Sequence, residues 1–307
     1  MTELLESGLL EPGAELEAVA TGSTWAEGPV WIGAEHAVRY SDIPNNRILQ
    51  FSETTGELSV YAEDVEFTNG RTLDVDGSVI QCSHGRRAVE RDRGGVVEIV
   101  VDRWTELRFN SPNDVVVKSD GTIWFTDPSY GIRKPGEGHP GELEYGDHYV
   151  FRHDPRDGSV IPVVIDVEMP NGLAFSPDES LLYVADSADS PTRGHRDPTR
   201  PPGHSIHVYD VLDGRLCKNG REFAAVQPGV PDGFRVDEHG NVWTSSHDSV
   251  QVFAPSGEPL GLVPVPEKIA NVCFGGDDGC TLYVAASTTL YRIRTTVRDA
   301  AALLRGI

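Results

Sequence analysis

Basic residues are scarce in this chain of 307 residues: 26 Lys and Arg stand against 48 Asp and Glu, for a net charge of −22. A surface of that sign repels phosphate backbones, so nucleic acid is not an expected partner. Long apolar runs are missing too. No stretch approaches the roughly 18 residues of a membrane-spanning helix, and no membrane association is expected. The first residues carry Glu3, Glu6, Glu11, Glu15 and Glu17 without a basic cluster, unlike a secretory leader, so the chain reads as cytoplasmic. The four cysteines, Cys82, Cys217, Cys273 and Cys280, show no Cys-x-x-Cys spacing. They read as reduced thiols rather than as a disulfide framework or a zinc site. There is no Gly-x-Ser-x-Gly elbow, no His pair at zinc-protease spacing and no Walker loop, which argues against serine hydrolases, zinc proteases and P-loop enzymes. Helical patterning is nearly absent; only residues 297–304 read as a short helix.

What the chain does have is glycine (32), proline (21) and a repeat. Asn113-Asp114-Val115-Val116-Val117 runs on to Trp124-Phe125-Thr126-Asp127. Asn171-Gly172-Leu173-Ala174-Phe175 runs on to Leu182-Tyr183-Val184-Ala185-Asp186. Weaker copies open at Glu27, Asn69, Asp232 and Asn271. In each, a polar residue precedes an apolar run, a turn and a second apolar run. The openings are separated by 42, 44, 58, 61 and 39 residues. A period of about 40–45 residues with hairpin turns inside each unit is that of four-stranded propeller blades. The expectation is an all-β fold, a six-bladed β-propeller of four-stranded antiparallel blades. Residues 1–307 would form one propeller domain, with about 1–20 and about 292–307 peripheral or ring-closing.

This architecture has a chemical consequence. Two short strands joined by a hairpin return the chain to the side it left. The residues that open and close a unit therefore meet at one mouth. Asn-Gly and Asp-Gly are common turn pairs, but here they precede the first strand, and the hairpin turn comes later. Six such positions would ring one axis, and four carry oxygen ligands: Glu27, Asn113, Asn171 and Asp232. Two carboxylates and two amides form a hard donor set. One divalent ion is expected, with Ca²⁺ favoured by the all-oxygen set and Mg²⁺, Mn²⁺ or Zn²⁺ as alternatives. Three or four protein ligands leave positions open for water and substrate. The two long gaps hold insertions at 129–145 and 188–204, on the same face as the ring. One or both are expected to act as lids that shape substrate choice.

Glu27-Gly28-Pro29-Val30-Trp31, Asn110-Ser111-Pro112-Asn113-Asp114, Pro170-Asn171-Gly172-Leu173-Ala174-Phe175-Ser176-Pro177-Asp178 and Pro231-Asp232-Gly233 together resemble the gluconolactonase, regucalcin (senescence marker protein) and luciferin-regenerating-enzyme family. Asn-Ser-Pro-Asn-Asp and His84-Gly85-Arg86-Arg87 point to its bacterial gluconolactonase branch. The resemblance covers residues from about 24 to about 290. It implies a six-bladed propeller with one divalent ion in the channel, held by Glu27, Asn171 and Asp232. Asn113 is implied as a further metal ligand or as a substrate contact. The implied reaction is hydrolysis of a sugar lactone or related small lactone, by a metal-polarised carbonyl and a metal-activated water. Asp232 is the expected proton acceptor and Asp127 its rival. The recurrence of an Asp at the ends of units, as Asp42, Asp127 and Asp186, also suggests a shared structural hydrogen bond. Arg87, Arg108, Asn271, Tyr130 and His84 are candidate substrate contacts, and Phe67 a candidate pocket aromatic. An organophosphorus-fluoride phosphotriesterase-like hydrolase and a non-catalytic calcium- or ligand-binding propeller are the alternatives. The small-molecule lactone is the expected partner, and the protein is expected to be a monomer or small homo-oligomer.

Overall fold

A computed structural model describes residues 1–188 and 203–305. They form six four-stranded antiparallel sheets. Blade 1 comprises Ala26–Ile32, Ala37–Asp42, Arg47–Ser52 and Leu58–Glu63, from the innermost strand outward. Blade 2 comprises Thr68–Leu73, Val79–Ser83, Ala88–Arg93 and Val96–Val101. Blade 3 comprises Val115–Val117, Ile123–Asp127, Tyr149–Asp154 and Ser159–Val164. Blade 4 comprises Pro170–Phe175, Leu181–Asp186, Ser205–Leu212 and Leu216–Ala225. Blade 5 comprises Phe234–Val236, Val242–Thr244, Ser249–Phe253 and Pro259–Pro264. Blade 6 takes Ile269–Gly275, Thr281–Ala286 and Thr289–Arg294 from the end of the chain and its outermost strand, Glu17–Thr21, from the beginning. That pairing of the two ends closes the ring, and the chain is a six-bladed β-propeller.

The six inner strands touch one another in sequence order, and the last touches the first, around one channel. The apolar core lies between blades rather than within them. Trp124, Leu173, Leu182 and Val184 fill the space between blades 3 and 4. Val272, Leu282 and Val284 pack with Trp243 and Val250 between blades 5 and 6, and the short helix Thr2–Glu6 adds Leu4. A blade has two faces to cover, so each strand presents apolar residues to both neighbouring blades, and sheet-on-sheet burial sets the ring.

Strand register brings the ends of each unit to one mouth. Ala26 pairs with Asp42, Thr68 with Ser83, Pro170 with Asp186 and Ile269 with Ala286. In those four blades the pairing then slips, so that residues 69–70 face the single residue Cys82 and residues 171–172 face Ala185. These are β-bulges, which turn a side chain out of the regular pleat. They fall on or beside the repeated polar residues.

The same place carries the closest approach between blades. Gly70 donates its N–H to Asn113 O at 2.8 Å, Gly172 to Asp232 O at 2.9 Å and Gly233 to Ala270 O at 2.7 Å. A Cβ on Gly172 would lie 2.3 Å from Asp232 O, and one on Gly233 would lie 1.9 Å from the Asn271 side chain. The glycine after the repeated polar residue is required because the next inner strand occupies the space of its side chain. Gly172→Ala is expected to cost ~1–3 kcal/mol, as an overpacked interior site does. Chemical denaturation reads the loss. Unchanged stability would mean that blades 4 and 5 approach less closely than described.

Candidate metal and substrate site

Glu27, Asn69, Asn113, Asn171, Asp232 and Asn271 open their units at this mouth. All but Asp232 are buried; Asp232 is half-buried. Recurring anchors hold the chain as it enters. Asp42 accepts hydrogen bonds from the N–H of Thr24 (2.8 Å) and Trp25 (3.2 Å). Asp127 accepts from Asn110 and Ser111, both at 2.7 Å, and Asp186 from Met169 at 3.0 Å. The anchored residues precede the repeated polar residue by two or three positions. Charge-assisted bonds of this kind are worth about 1.5–3 kcal/mol, and they fix the entry angle of the inner strand.

Glu27 Oε2 accepts hydrogen bonds from Asn271 Nδ2 at 3.1 Å and from the Gly28 N–H. Asn271 Oδ1 accepts from Val272 N at 2.8 Å. Asn271 therefore holds Glu27 with the nitrogen of its amide, while its oxygen is engaged by the backbone of its own strand. Among the described residues, neither the Asn113 amide nor the Asp232 carboxylate makes a side-chain hydrogen bond. The Asn171 amide meets the Tyr130 hydroxyl. Among the described residues, no lysine, arginine or histidine is ion-paired with Glu27 or Asp232.

The two acids act on each other. Burial, then the charges of Asp232 and Asp114, hold the Glu27 carboxyl well above the usual range. Asp232 is pushed up to about 7, chiefly by burial, although Lys268 and Lys134 pull it down. Part of Asp232 is open to the mouth, but the loss of water around its carboxylate outweighs that opening. Asp114 is a third buried acid, which sequence reasoning passed over. It stands where other units have glycine, and its Oδ1 lies 2.5 Å from where a Cβ on Gly70 would be. Arg235 Nη1 lies 3.6 Å from Asp114 Oδ2. That departure from Asn-Gly to Asn-Asp was the signal available in the sequence.

A covering segment lies over the mouth. After Asp127, Tyr130–Arg133 forms one helical turn, and residues 134–148 follow without regular structure. Gly131 donates its N–H to Ser111 Oγ at 3.0 Å. His139 Nε2 meets Glu66 Oε2 at 2.9 Å, and the His139 ring packs edge-on to Phe67. Burial pushes the Tyr130 hydroxyl far up, with the Asp232 and Asp186 charges adding to the shift, so Tyr130 stays protonated at neutral pH. The other candidate lid, 188–204, lies almost entirely outside the described residues.

Three proposed contacts fall elsewhere. Arg87 is buried, and its guanidinium donates to the backbone oxygens of Phe109 and Glu142, so it ties the covering segment to blade 2 instead of facing the mouth. Arg108 is exposed on a two-stranded ribbon, where it donates to Arg86 O at 3.3 Å. Asp127 is fully buried, and both of its carboxylate oxygens are engaged, Oδ1 by Ser111 and Oδ2 by Asn110 and Tyr145. It is an anchor with no free oxygen for a water. A cavity of about 550 Å³ opens at the opposite end of the inner strands, lined by Trp31, Phe175, Phe274 and Ala300–Ala302 and reached by Arg71 and Arg235. The converging acids and amides are at the near mouth.

The residues suit a cation. Among the described residues, no cluster of three or more His, Cys, Asp or Glu could hold a metal on its own, so amides must complete any set. Two like-charged acids share the mouth with no basic ion-pair partner among the described residues, beside the Asn113 amide, for which those residues give no side-chain partner. A divalent ion satisfies all of these groups at once.

Comparison with known proteins agrees with this architecture. The model of the SMP-30/Gluconolactonase/LRE-like region matches residues 25–288. The chain belongs to this family. It is 34% identical to a gluconolactonase of Zymomonas mobilis, over 94% of this chain and 83% of that protein. It is 29% identical to a pentonolactonase of Haloferax volcanii, over 88% of this chain and 84% of that one. A solved structure of XC5397 from Xanthomonas campestris, described as a gluconolactonase, superposes with a TM-score of 0.85 at 35% identity, covering 94% of this chain and 92% of that one.

The charge at the mouth has a measurable signature. Glu27 and Asp232 bind protons more readily in the fold than in the unfolded chain, where carboxyls titrate at ~4. Their contribution to stability is full below that pH and is lost as pH rises through the folded value, about 7 for Asp232. With divalent ions removed by chelator, the melting temperature is expected to fall across this window, and Asp232→Asn to flatten the fall. Identical pH profiles for parent and variant would show that Asp232 is not held in this way.

Proposed function

We propose that this protein is a lactone hydrolase acting on a sugar lactone or related small lactone, with one divalent ion at the near mouth. The observation that carries the reading is the pair of acids at the mouth, Glu27 and Asp232, which no described basic residue ion-pairs, in a chain of the gluconolactonase family. The names of the similar proteins, a gluconolactonase and a pentonolactonase, support the choice of substrate class.

Glu27, Asn171 and Asp232 hold the ion, and Asn113 either completes the set or orients the substrate. When bound, the ion supplies positive charge that polarises an ester carbonyl and makes a nearby water more acidic. The protein's own groups do the rest. Asp232 accepts the proton of the attacking water, whose oxygen bonds to the carbonyl carbon. The ring C–O bond then breaks, and the proton held by Asp232 passes to the departing ring oxygen. Burial raises Asp232 to about 7 when no ion is bound, and a bound cation would bring it back down and keep it ionised to accept the proton. Asn271 keeps Glu27 oriented through its 3.1 Å bond. The Tyr130 hydroxyl donates toward Ser187 O and accepts from the Asn171 NH2, which leaves the Asn171 amide oxygen for the ion. The covering segment from Tyr130 to His148 limits access of bulk water.

A panel of sugar and simple lactones, assayed with and without chelator, tests this reading. Hydrolysis that chelation abolishes and a divalent ion restores is the expected result. Asp232→Asn is expected to lower turnover by at least ~10²-fold at saturating ion, as loss of a general base does, with a smaller fall in ion occupancy measured by calorimetry. Asn171→Ala is expected to show the reverse balance, weaker ion binding with activity partly rescued by excess ion. Activity untouched by chelation would overturn the metal-assisted reading, and no hydrolysis of any lactone would overturn the substrate class.

A further inference from the structure

Asn69 opens blade 2 in the place that Glu27, Asn113, Asn171 and Asp232 hold in theirs, but it belongs to no proposed ligand set. It is buried, and among the described residues its side-chain Oδ1 has no hydrogen-bond partner. An orphaned buried carbonyl is uncommon in a native interior and calls for an explanation. The groups around it determine which end of the amide is left free. His84 Nδ1 lies 2.8 Å from the backbone oxygen of Glu137 in the covering segment. A carbonyl only accepts, so Nδ1 carries the proton. Burial holds the His84 pKa down to about 4, so the ring is neutral and Nε2 is an acceptor. Asn69 Nδ2, 3.2 Å from that nitrogen, is then the donor. The flip of the amide follows, and its oxygen is the free end. His84 has no room to turn away, since a Cβ on Gly131 would lie 2.5 Å from the His84 Cβ. The bulge at residues 69–70 lifts the Asn69 side chain out of the regular pleat.

The Asn69 backbone lies against Gly28, next to Glu27, where a Cβ on Gly28 would be 2.3 Å from Asn69 O, and the Asn69 amide oxygen needs a donor that the described residues do not supply. We propose that Asn69 is a substrate-binding residue whose side-chain oxygen accepts a hydrogen bond from a hydroxyl of a polyhydroxylated lactone, and that His84 is the positioning residue that presents it. This rests on the lactone-hydrolase reading and deepens it, because it makes hydroxyl substitution on the ring the feature that the site selects. The carbonyl of Glu137 makes the covering segment part of the device. When the segment is seated, the His84 tautomer and the Asn69 orientation are set together.

The test compares two lactones of the same ring size, glucono-δ-lactone and unsubstituted δ-valerolactone. Asn69→Leu and Asn69→Ala are expected to lower kcat/KM for the hydroxylated lactone by at least ~10-fold, as sites built around a hydroxyl do, and to change the unsubstituted one by less than ~3-fold. His84→Phe, which fills the space but offers no acceptor, is expected to lose the same selectivity. His84→Gln, which can present an amide oxygen to Asn69 Nδ2, is expected to retain it. The double variant Asn69→Leu/His84→Phe is expected to be no worse than Asn69→Leu alone. Equal losses on both lactones, or none, would overturn the proposal, as would a His84→Phe enzyme with unchanged selectivity. Calorimetric binding of gluconate reads the same contact without turnover. Binding weakened by Asn69→Leu supports the assignment even if no lactone is hydrolysed, in which case the function above fails and this contact stands. Gluconate binding that is absent from the parent, or equal in parent and variant, would count against Asn69.

Discussion

The structure depends on how closely adjacent inner strands approach at the near mouth. Backbone hydrogen bonds from Gly70, Gly172 and Gly233 reach carbonyls of the next blade at 2.7–2.9 Å, where sheets packed face to face normally stand about 10 Å apart. That approach is possible only because a backbone with no side chain faces another backbone. It narrows the channel at one end, and so the residue before each glycine is brought within reach of its counterparts in other blades. The far end opens into a cavity of about 550 Å³. The Asn-Gly and Asp-Gly pairs therefore have two functions. The glycine sets the width of the mouth, and the polar residue uses it.

Charge is the cost of this arrangement. Glu27, Asp232 and Asp114 are drawn into one poorly hydrated place, where Arg235 lies 3.6 Å from Asp114 and no described basic residue is ion-paired with Glu27 or Asp232. The fold accommodates them by anchoring the surrounding chain. Asp42, Asp127 and Asp186 each grip the loop entering an inner strand, and Asn271 grips Glu27 from the side. The acids at the mouth are thus held apart from basic partners by a scaffold of polar contacts that are themselves satisfied. Such a site is poised for an external cation, because collapse onto a lysine or arginine is prevented by geometry.

His84, Asn69 and the segment after Tyr130 show the same logic in neutral form. One backbone oxygen in a loop fixes a tautomer, the tautomer fixes an amide, and an acceptor is left facing the ring. No member of that chain is charged, so its contribution is orientation. It also makes the covering segment more than a barrier, since its seat determines what the mouth offers.

The sequence by itself determined the number of blades, the hairpin inside each unit and the mouth at which the polar residues gather. These follow from local periodicity and turn chemistry, which a short window contains. It also marked the three recurrent aspartates as a shared anchor, because a repeated residue in a repeated place points to the backbone. Only the tertiary structure decided the rest. Asp127 could be read as a base until its oxygens were seen to be taken by Asn110, Ser111 and Tyr145. Arg87 and Arg108 lie close to the motifs in sequence, but one side chain turns into a loop and the other onto a ribbon. Asp114 and Asn69 were passed over because their importance comes from neighbours about 45–120 residues away, such as Gly70, Arg235 and the carbonyl of Glu137. The bulges that aim the side chains depend on register between strands, and the free oxygen of Asn69 depends on a proton on His84. Neither is a property of a residue in its own segment, and so neither is visible before the ring closes.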